Sequence, residues 1–175
     1  ITAMLFAGRL IARYGSRSVL RAFALSVVPL LPVVVFAPNL PTLAVAMAIL
    51  GALIGCMDVA MNANAVEVER RLGRAIMSSS HGFWSLGGFF GGSLGGLLIA
   101  RTSAEVQALV GAAVAGLIVL LAMRPLLAEP PAPRSDAPAV LFPRVPAIWI
   151  LGAMALFSMV PEGAVLDWAA LYLVD

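Results

Sequence analysis

One acidic and two amide side chains lie within an apolar stretch of the chain that reads GALIGCMDVAMNANAVEVERRLGR over residues 51–74. Asp58, Asn62 and Asn64 can form hydrogen bonds with a polar molecule, and the carboxyl group can also bind a proton. Apolar surroundings disfavour the charged carboxylate, so a carboxyl group held there can take up and release a proton. These residue types indicate proton transfer or polar-solute binding; the alternative is that Asp58 only forms a hydrogen bond with an adjacent helix.

The spacing of these residues on a helix separates them into two groups. Gly51, Gly55, Asp58 and Asn62 step by four, three and four residues, and therefore fall on one narrow stripe of a helix. Asn64 projects from nearly the opposite side. Small residues let neighbouring helices approach closely, and polar residues within a membrane face the interior of a bundle. We therefore expect Asp58 and Asn62 to line a substrate or proton pathway, and the two glycines to serve helix packing.

A second stripe follows in HGFWSLGGFFGGSLGG, residues 81–96. His81, Gly88, Gly92 and Gly96 share one side of the helix that this segment predicts. Glycines four residues apart favour close packing of two helices, so we expect these three to lie at a helix–helix contact. His81 would lie near the mouth of the pathway, either as a hydrogen-bonded histidine at the membrane interface or as a member of a proton relay.

Glu162, the single cysteine and the single histidine limit the kinds of functional site that this chain can form. Glu162 follows Pro161, which can break a helix and free backbone groups to line a cavity, so Glu162 is either a pathway residue or an acid at the membrane interface. Cys56 is the only cysteine and His81 the only histidine. An internal disulfide and a metal site of several histidines or cysteines are thereby excluded. We expect no metal, no other cofactor and no catalytic residue.

The elements that position these residues are predicted to be transmembrane helices. Apolar residues make up 62% of the 175 residues, charged residues 11%, and the mean hydropathy is +1.02. A soluble domain holds about 25% charged residues, and apolar runs of about 20 residues are long enough to cross a bilayer. The fold class is therefore all-α, a polytopic transmembrane helical bundle. The predicted spans are residues 17–37, 41–65, 76–99, 105–127 and 146–166, after the tail of an earlier span over residues 1–7.

One segment interrupts this pattern. Residues 128–146 hold six of the 12 prolines and charges of both signs, which is typical of a semi-extended linker. We therefore divide the chain into an N-terminal half bundle over residues 1–127, a linker over residues 128–146, and the start of a second half bundle over residues 147–175. The chain opens inside an apolar run, which predicts a piece of a longer protein.

The arginines predict the orientation of the helices. All 11 positive charges are arginines, and 10 of them lie on alternate breaks between spans: four at the first break, three at the third and three at the linker. The other side of the membrane has only Arg101. The positive-inside rule places the arginine-rich side, with the linker, in the cytoplasm. The ten are Arg9, Arg13, Arg17, Arg21, Arg70, Arg71, Arg74, Arg124, Arg134 and Arg144.

The first break, GRLIARYGSRSVL, resembles the loop signature of the major facilitator superfamily, G-x-L-[AS]-D-R-x-G-R-[RK]-x-x-L. Ala12 stands where the family usually has Asp, so the usual Asp–Arg contact of that loop is not expected here. Gly8 and Gly15 would allow a tight turn between two close helices, while Arg13 and Arg17 could cap helix ends or hold carboxylates of neighbouring loops. The matching positions are Gly8, Leu10, Arg13, Gly15, Arg17 and Leu20.

This resemblance implies a function. The chain would cover the end of helix 2 through helix 7 of a 12-helix carrier, and MDVAMNANAVEVERRLGR and SSSHGFWSLGG are similar to the bacterial branch near the fucose permeases. The implied protein is a secondary transporter of a small polar, sugar-like solute, working by alternating access in the bacterial inner membrane, with protons as the coupling ion. Its substrate would lie between the halves near the midplane, with Asp58 and Asn62 on one side and Glu162 on the other.

Two other classes of function remain open from the residues alone. A membrane-embedded enzyme would need paired acids, a histidine cluster or a metal motif at one depth, and a single histidine and a single cysteine argue against it. A structural or receptor-like helical bundle would not need ionisable residues on interior faces. We expect a transporter rather than an enzyme, with the lipid bilayer, a small solute and the proton as its partners and no nucleic acid.

Overall fold

A computed structural model of the chain describes residues 4–127, 145–154, 156–157 and 160–161. The described residues form helices joined by short turns and contain no strand, which confirms the all-α fold class of a membrane helical bundle. Glu162 and nearly all of the predicted linker lie outside the described residues. The helices are α1 (Met4–Tyr14), α2 (Ser16–Val35), α3 (Leu40–Leu72), α4 (Met77–Arg101) and α5 (Ala104–Ala122).

The chain divides into two compact units, Ile1–Arg134 and Ser135–Asp175. The five helices belong to the first unit. In the second unit, residues 146–154 are helical. The division falls inside residues 128–146, and the linker bounds predicted for that segment stay a prediction.

Four of the helices, α2 to α5, are long and apolar enough to cross a membrane. Their large apolar side chains are mostly exposed in the described part of the chain; α4, for example, buries none of its residues. Such a surface is stable against lipid or further helices rather than against water. The 33 residues of α3 rise roughly 50 Å, against about 30 Å for the bilayer core, so its charged last turns extend beyond the apolar span.

The ends of α3 follow from residues that cap helices. The Asn39 carboxamide oxygen accepts a hydrogen bond from the Thr42 N–H at 2.9 Å, and Pro41 in the first turn has no backbone N–H that would need an acceptor. Gly73 ends the helix with a φ of 64°, a left-handed conformation that suits glycine. Within the last turns Arg71 bonds to Glu67 at 2.9 Å, one turn apart, so the helix continues seven residues past the predicted limit of residue 65.

The place of Gly8 and the end of α5 also differ from the sequence prediction. Gly8 lies inside α1 rather than in a turn, because one glycine does not end a helix; the chain turns at Gly15, where φ is 80°. The predicted span to residue 127 is also too long, since α5 ends at Ala122. Pro125 lacks an N–H and disfavours a helical conformation at Arg124, which favours the end of the helix before this point.

The packed core lies where α2 crosses α3. Val19, Leu20 and Ala60 are buried together. On α5, a Cβ built at Gly116 would lie 3.3 Å from Val28 of α2, so these two helices approach closely. Toward its C-terminal end, directly after Val28, α2 contains Pro29 and Pro32 within the helix. The side chains that surround the buried cluster are Leu10, Ile11, Phe23, Met57, Met61 and Leu126.

Candidate functional site

Asp58 and Asn62, called the polar pair below, form a direct contact on α3. The Asn62 Nδ2 donates to a carboxylate oxygen of Asp58 at 3.2 Å and to the Asp58 backbone carbonyl at 3.0 Å. Asp58 lies 18 residues from Leu40 and 14 from Leu72, which corresponds to roughly 27 Å and 21 Å along the helix. The polar pair therefore lies near the middle of α3 and, because the last turns of the helix extend beyond the apolar span, toward the Leu72 end of the predicted span 41–65.

The polar pair lies on a different side of α3 from the packed side. The buried residues of α3 include Cys56, Ala60 and Asn64, which step by four and form one stripe. Asp58 and Asn62 are half-buried. Within the described residues, no side chain other than Asn62 donates to the Asp58 carboxylate. This side of α3 is thus available to a solute or to other helices.

Within the described residues, His81 forms no hydrogen bond with the polar pair. His81 is exposed on the first turns of α4, and its backbone carbonyl accepts from the Ser85 hydroxyl at 3.3 Å. Glu162 lies outside the described residues, so both assignments stay predictions.

The predicted glycine stripes face open space in the described part of the chain. A Cβ built at Gly51, Gly88, Gly92 or Gly96 would meet no atom within 4 Å there, and Gly55 is half-buried. The glycine of α4 that approaches another helix is Gly95, whose built Cβ would lie 3.2 Å from the Gln107 side-chain nitrogen of α5. Close packing on the stripe of Gly88, Gly92 and Gly96 therefore stays a prediction about chain outside the described residues.

The signature segment lies at the junction of α1 and α2. Arg13, in the last turn of α1, stacks over the Tyr14 ring with its guanidinium carbon 5.2 Å from the ring centre. Arg17 follows Gly15 in the first turn of α2, and its Nε is buried without a hydrogen-bond acceptor in the described residues. That Nε can donate to an acceptor from chain outside this part, so the predicted role of the motif stays open.

Asn64 was not part of the pathway predicted from the sequence, because it projects from the side of the helix opposite the polar pair. It is 4% exposed, and its Nδ2 donates to the Ser16 hydroxyl at 2.9 Å and to the Leu127 carbonyl at 3.1 Å. Ser16 is fully buried. The signal in the sequence was its position in the small-residue stripe with Cys56 and Ala60, which marks the packing side of the helix.

Two other polar contacts hold the same end of the bundle. A guanidinium nitrogen of Arg21 donates to the Met123 carbonyl at the end of α5. The Glu69 carboxylate accepts from the Ile76 N–H at 2.6 Å and the Met77 N–H at 3.0 Å, and thereby caps α4, whose own N-cap residue provides no side-chain hydrogen bond. These N–H groups, first Met77 and then Ile76, lower the pKa of the Glu69 carboxyl, which lies beyond the apolar span.

Because of these contacts, the arginine-rich breaks that the structure describes lie together at one end of the first unit. Ser16 at the start of α2, Asn64 near the end of α3 and Leu127 after α5 meet directly. We call this end of the unit the arginine-bearing end. Its geometry agrees with the alternation of arginines between breaks that the sequence shows. In the described ranges, no three His, Cys, Asp or Glu residues lie close enough to hold a metal ion.

Apolar helices of membrane length with an acid and an amide at mid-helix define a polytopic membrane protein with a polar face. Comparison with known families identifies the family: the profile of the Major Facilitator Superfamily matches residues 1–175, and the chain belongs to that family. The matching loop segment and the helical fold agree with this assignment.

Two curated bacterial relatives are similar to nearly the whole chain. An uncharacterized MFS-type transporter of Yersinia pestis is 34% identical over 171 residues, which cover 98% of this chain and 44% of the relative. An uncharacterized transporter of Sinorhizobium fredii is 34% identical over 170 residues, which cover 96% of this chain and 45% of the relative. The chain thus spans less than half the length of these relatives. No solved structure matches.

Proposed function

We propose that the chain belongs to a secondary active transporter that carries a small polar solute by alternating access and couples this movement to protons. Support comes from the family assignment and from two relatives named as transporters. The transporter names favour a carrier over a membrane-embedded enzyme. The proposed location is the bacterial inner membrane, since both relatives are bacterial and the arginine-bearing end suits the cytoplasmic side.

The observation that carries the proposal is the hydrogen-bonded polar pair. An ionisable group at mid-helix in a membrane is costly, with an insertion free energy of about 2.5–3.5 kcal/mol for Asp at the centre of a span. Asp58 is not placed against a cation in the described residues, where its carboxylate partner is the neutral amide of Asn62. A carboxyl group in such surroundings is suited to bind and release a proton.

The geometry also suggests how proton and solute influence each other. With Asp58 ionised, the Asn62 N–H donates to the carboxylate. Protonation removes the charge and turns the carboxyl group into a donor, which weakens that bond. The Asn62 amide then becomes available to a hydroxyl or carbonyl oxygen of a solute. The proton and the solute would thus be bound together on one side of α3.

The solute class rests on the likeness of two segments to the fucose permeases, and L-fucose is therefore the first solute to test. Glu162, from the second unit, is proposed to face the same solute, and His81 to lie near the mouth of the pathway. Absence of L-fucose, D-galactose and D-glucose uptake by the parent protein would contradict the sugar class.

The test of the coupling role is Asp58→Asn in the full-length protein. The variant keeps the size of the side chain and its hydrogen bonding but cannot ionise. In vesicles with an imposed pH gradient, we expect loss of accumulation of radiolabelled L-fucose, while exchange of L-fucose across the membrane continues. Glu67→Gln, which removes an acid at the end of the same helix, is the matched control and should accumulate like the parent. Accumulation by Asp58→Asn at the parent level would show that the carboxylate is structural.

A further inference from the structure

The most buried polar contacts of the described chain lie away from the polar pair, at the arginine-bearing end. Asn64 and Ser16 are 4% and 0% exposed, and the Asn64 Nδ2 uses its two N–H groups on acceptors 48 and 63 residues away in the sequence. Local helix geometry cannot produce such bonds. They exist only when α2, α3 and the segment after α5 are packed together.

The contacts converge on the chain just after α5. The last carbonyls of a helix have no partner within it and must find donors elsewhere. Here the Met123 carbonyl receives a guanidinium N–H from Arg21 of α2, and four residues later the Leu127 carbonyl receives the amide N–H of Asn64 from α3. Both bonds are part-buried, so loss of either donor would leave a partly desolvated carbonyl without this partner, at a cost in free energy.

We propose that Asn64, Ser16 and Arg21 form a clasp that fixes the place at which the chain leaves the helices of the first unit, just after α5. The clasp begins at Met123 and ends at Leu127, the last residue before the Pro-rich segment 128–146. Asn64 is in this sense a positioning residue, because it ties the exit of the chain to the helix that carries the polar pair.

The functional consequence rests on the proposed transport activity. A carrier that alternates access moves its halves relative to one another, and the covalent connection between them starts at this exit. With the clasp intact, a displacement of the exit acts on α2 and α3 as well as α5. With the clasp broken, it acts on α5 alone. Loss of the clasp should therefore slow turnover and leave solute affinity unchanged.

A measurement independent of transport tests the clasp itself. In the full-length protein with Cys56→Ala, spin labels replace the exposed Arg70 and Arg124, and the distance distribution between them is recorded. Asn64→Leu has nearly the same size but no donors, and we expect it to broaden the distribution. Val66→Leu, an exposed position on the same helix, should leave it narrow. A distribution for Asn64→Leu as narrow as that of the parent would overturn the proposal.

A second variant covers the case in which Asn64→Leu does not fold. Ser16→Ala removes one acceptor and a single atom from the side chain, and should broaden the same distribution to a smaller degree. An unchanged distribution in Ser16→Ala would also contradict the clasp as described.

Transport kinetics distinguish a positioning residue from a residue that only stabilises the fold. For L-fucose exchange in vesicles, we expect Asn64→Leu to lower turnover by about tenfold while the half-saturation concentration stays within about twofold of the parent. Equal losses in turnover and affinity, or no loss of turnover, would refute the positioning role. If the parent itself does not exchange L-fucose, the proposed solute is wrong, and the label distances alone decide on the clasp.

Discussion

Asn62 and Asn64 lie two residues apart on α3 and carry the same amide group, yet the structure uses them in different ways. Asn62 is half-buried and bonds within its own helix, to Asp58 one turn earlier. Asn64 is almost fully buried and bonds to two segments that are distant in sequence. An amide with a local partner can exchange that partner for a solute at small cost. An amide with distant, buried partners cannot be exchanged without separating helices.

The sharpest test of this comparison is the effect of the same substitution at both positions. Asn64→Leu removes the donor to the Ser16 hydroxyl and the Leu127 carbonyl, and loss of a buried hydrogen-bond partner costs about 1–3 kcal/mol. Asn62→Leu removes bonds within one helix and should change stability by less than about 1 kcal/mol. We expect a clearly lower melting temperature in detergent for Asn64→Leu only. Equal melting temperatures for the two variants would break the comparison.

Two glycines allow a second comparison, between a position where two helices are in contact and a position with no neighbouring atom in the described residues. Gly116 lies on the packed side, where a built Cβ would be 3.3 Å from Val28, and Gly116→Leu should separate α5 from α2 at a cost of about 1–3 kcal/mol. A Cβ built at Gly92 would meet no atom within 4 Å in the described residues. The sequence nevertheless predicts a helix contact there, so Gly92→Leu should also destabilise the full-length protein, whereas Phe89→Leu should be mild. Thermal unfolding of the three variants decides this, and parent-like stability of Gly92→Leu would mean that the stripe faces lipid.

The smallest effect is expected at the end of α3, where Glu69 caps α4. Its pKa is lowered from the ordinary value of 4.5 by the Met77 and Ile76 N–H groups, so the ionised form is favoured in the folded protein. This contribution to stability is fully present above pH 4.5 and is lost as the pH falls below it through the folded-state pKa. Thermal unfolding of the parent and of Glu69→Gln at a series of pH values tests this.

The difference in stability between parent and Glu69→Gln should shrink below pH 4.5, because the amide oxygen accepts hydrogen bonds at every pH. Glu67→Gln is the control, since Glu67 bonds only to arginines of its own helix in the described residues. A constant difference between parent and Glu69→Gln across this range would rule out the carboxylate as the cap.

The sequence predicted the helical spans because their signal is local. Apolar runs give membrane-length helices, and Asn39 and Ser103 lie close to the predicted starts of the spans 41–65 and 105–127. Gly73 ends α3 well past the predicted limit of residue 65, because the charged last turns of the helix are not apolar. The direct contact of Asp58 with Asn62 likewise follows from their spacing of one turn. Gly8 was assigned to a turn because glycine permits one, although of Gly8 and Gly15 only Gly15 has a positive φ.

The clasp could not be predicted in the same way. Its members Ser16, Arg21 and Asn64 and the chain after α5 are far apart in the sequence. Two of the three acceptors, those of Met123 and Leu127, are backbone carbonyls, which every residue has. The sequence shows that Asn64 faces away from Asp58, but the identity of its partners depends on how three helices pack. The pathway roles of His81 and Glu162 depend on packing in the same way, and they stay predictions.

The two prolines within α2 have a mechanical consequence. Pro29 and Pro32 lack the N–H groups that would bond to the carbonyls of Leu25 and Val28, so this part of the helix has fewer internal bonds that resist bending. The opposite end of α2 is braced by Ser16 and Arg21. We expect the first unit to be stiff at its arginine-bearing end and compliant at the other end. Bending of α2 would then be concentrated near Val28, at the level where it touches α5.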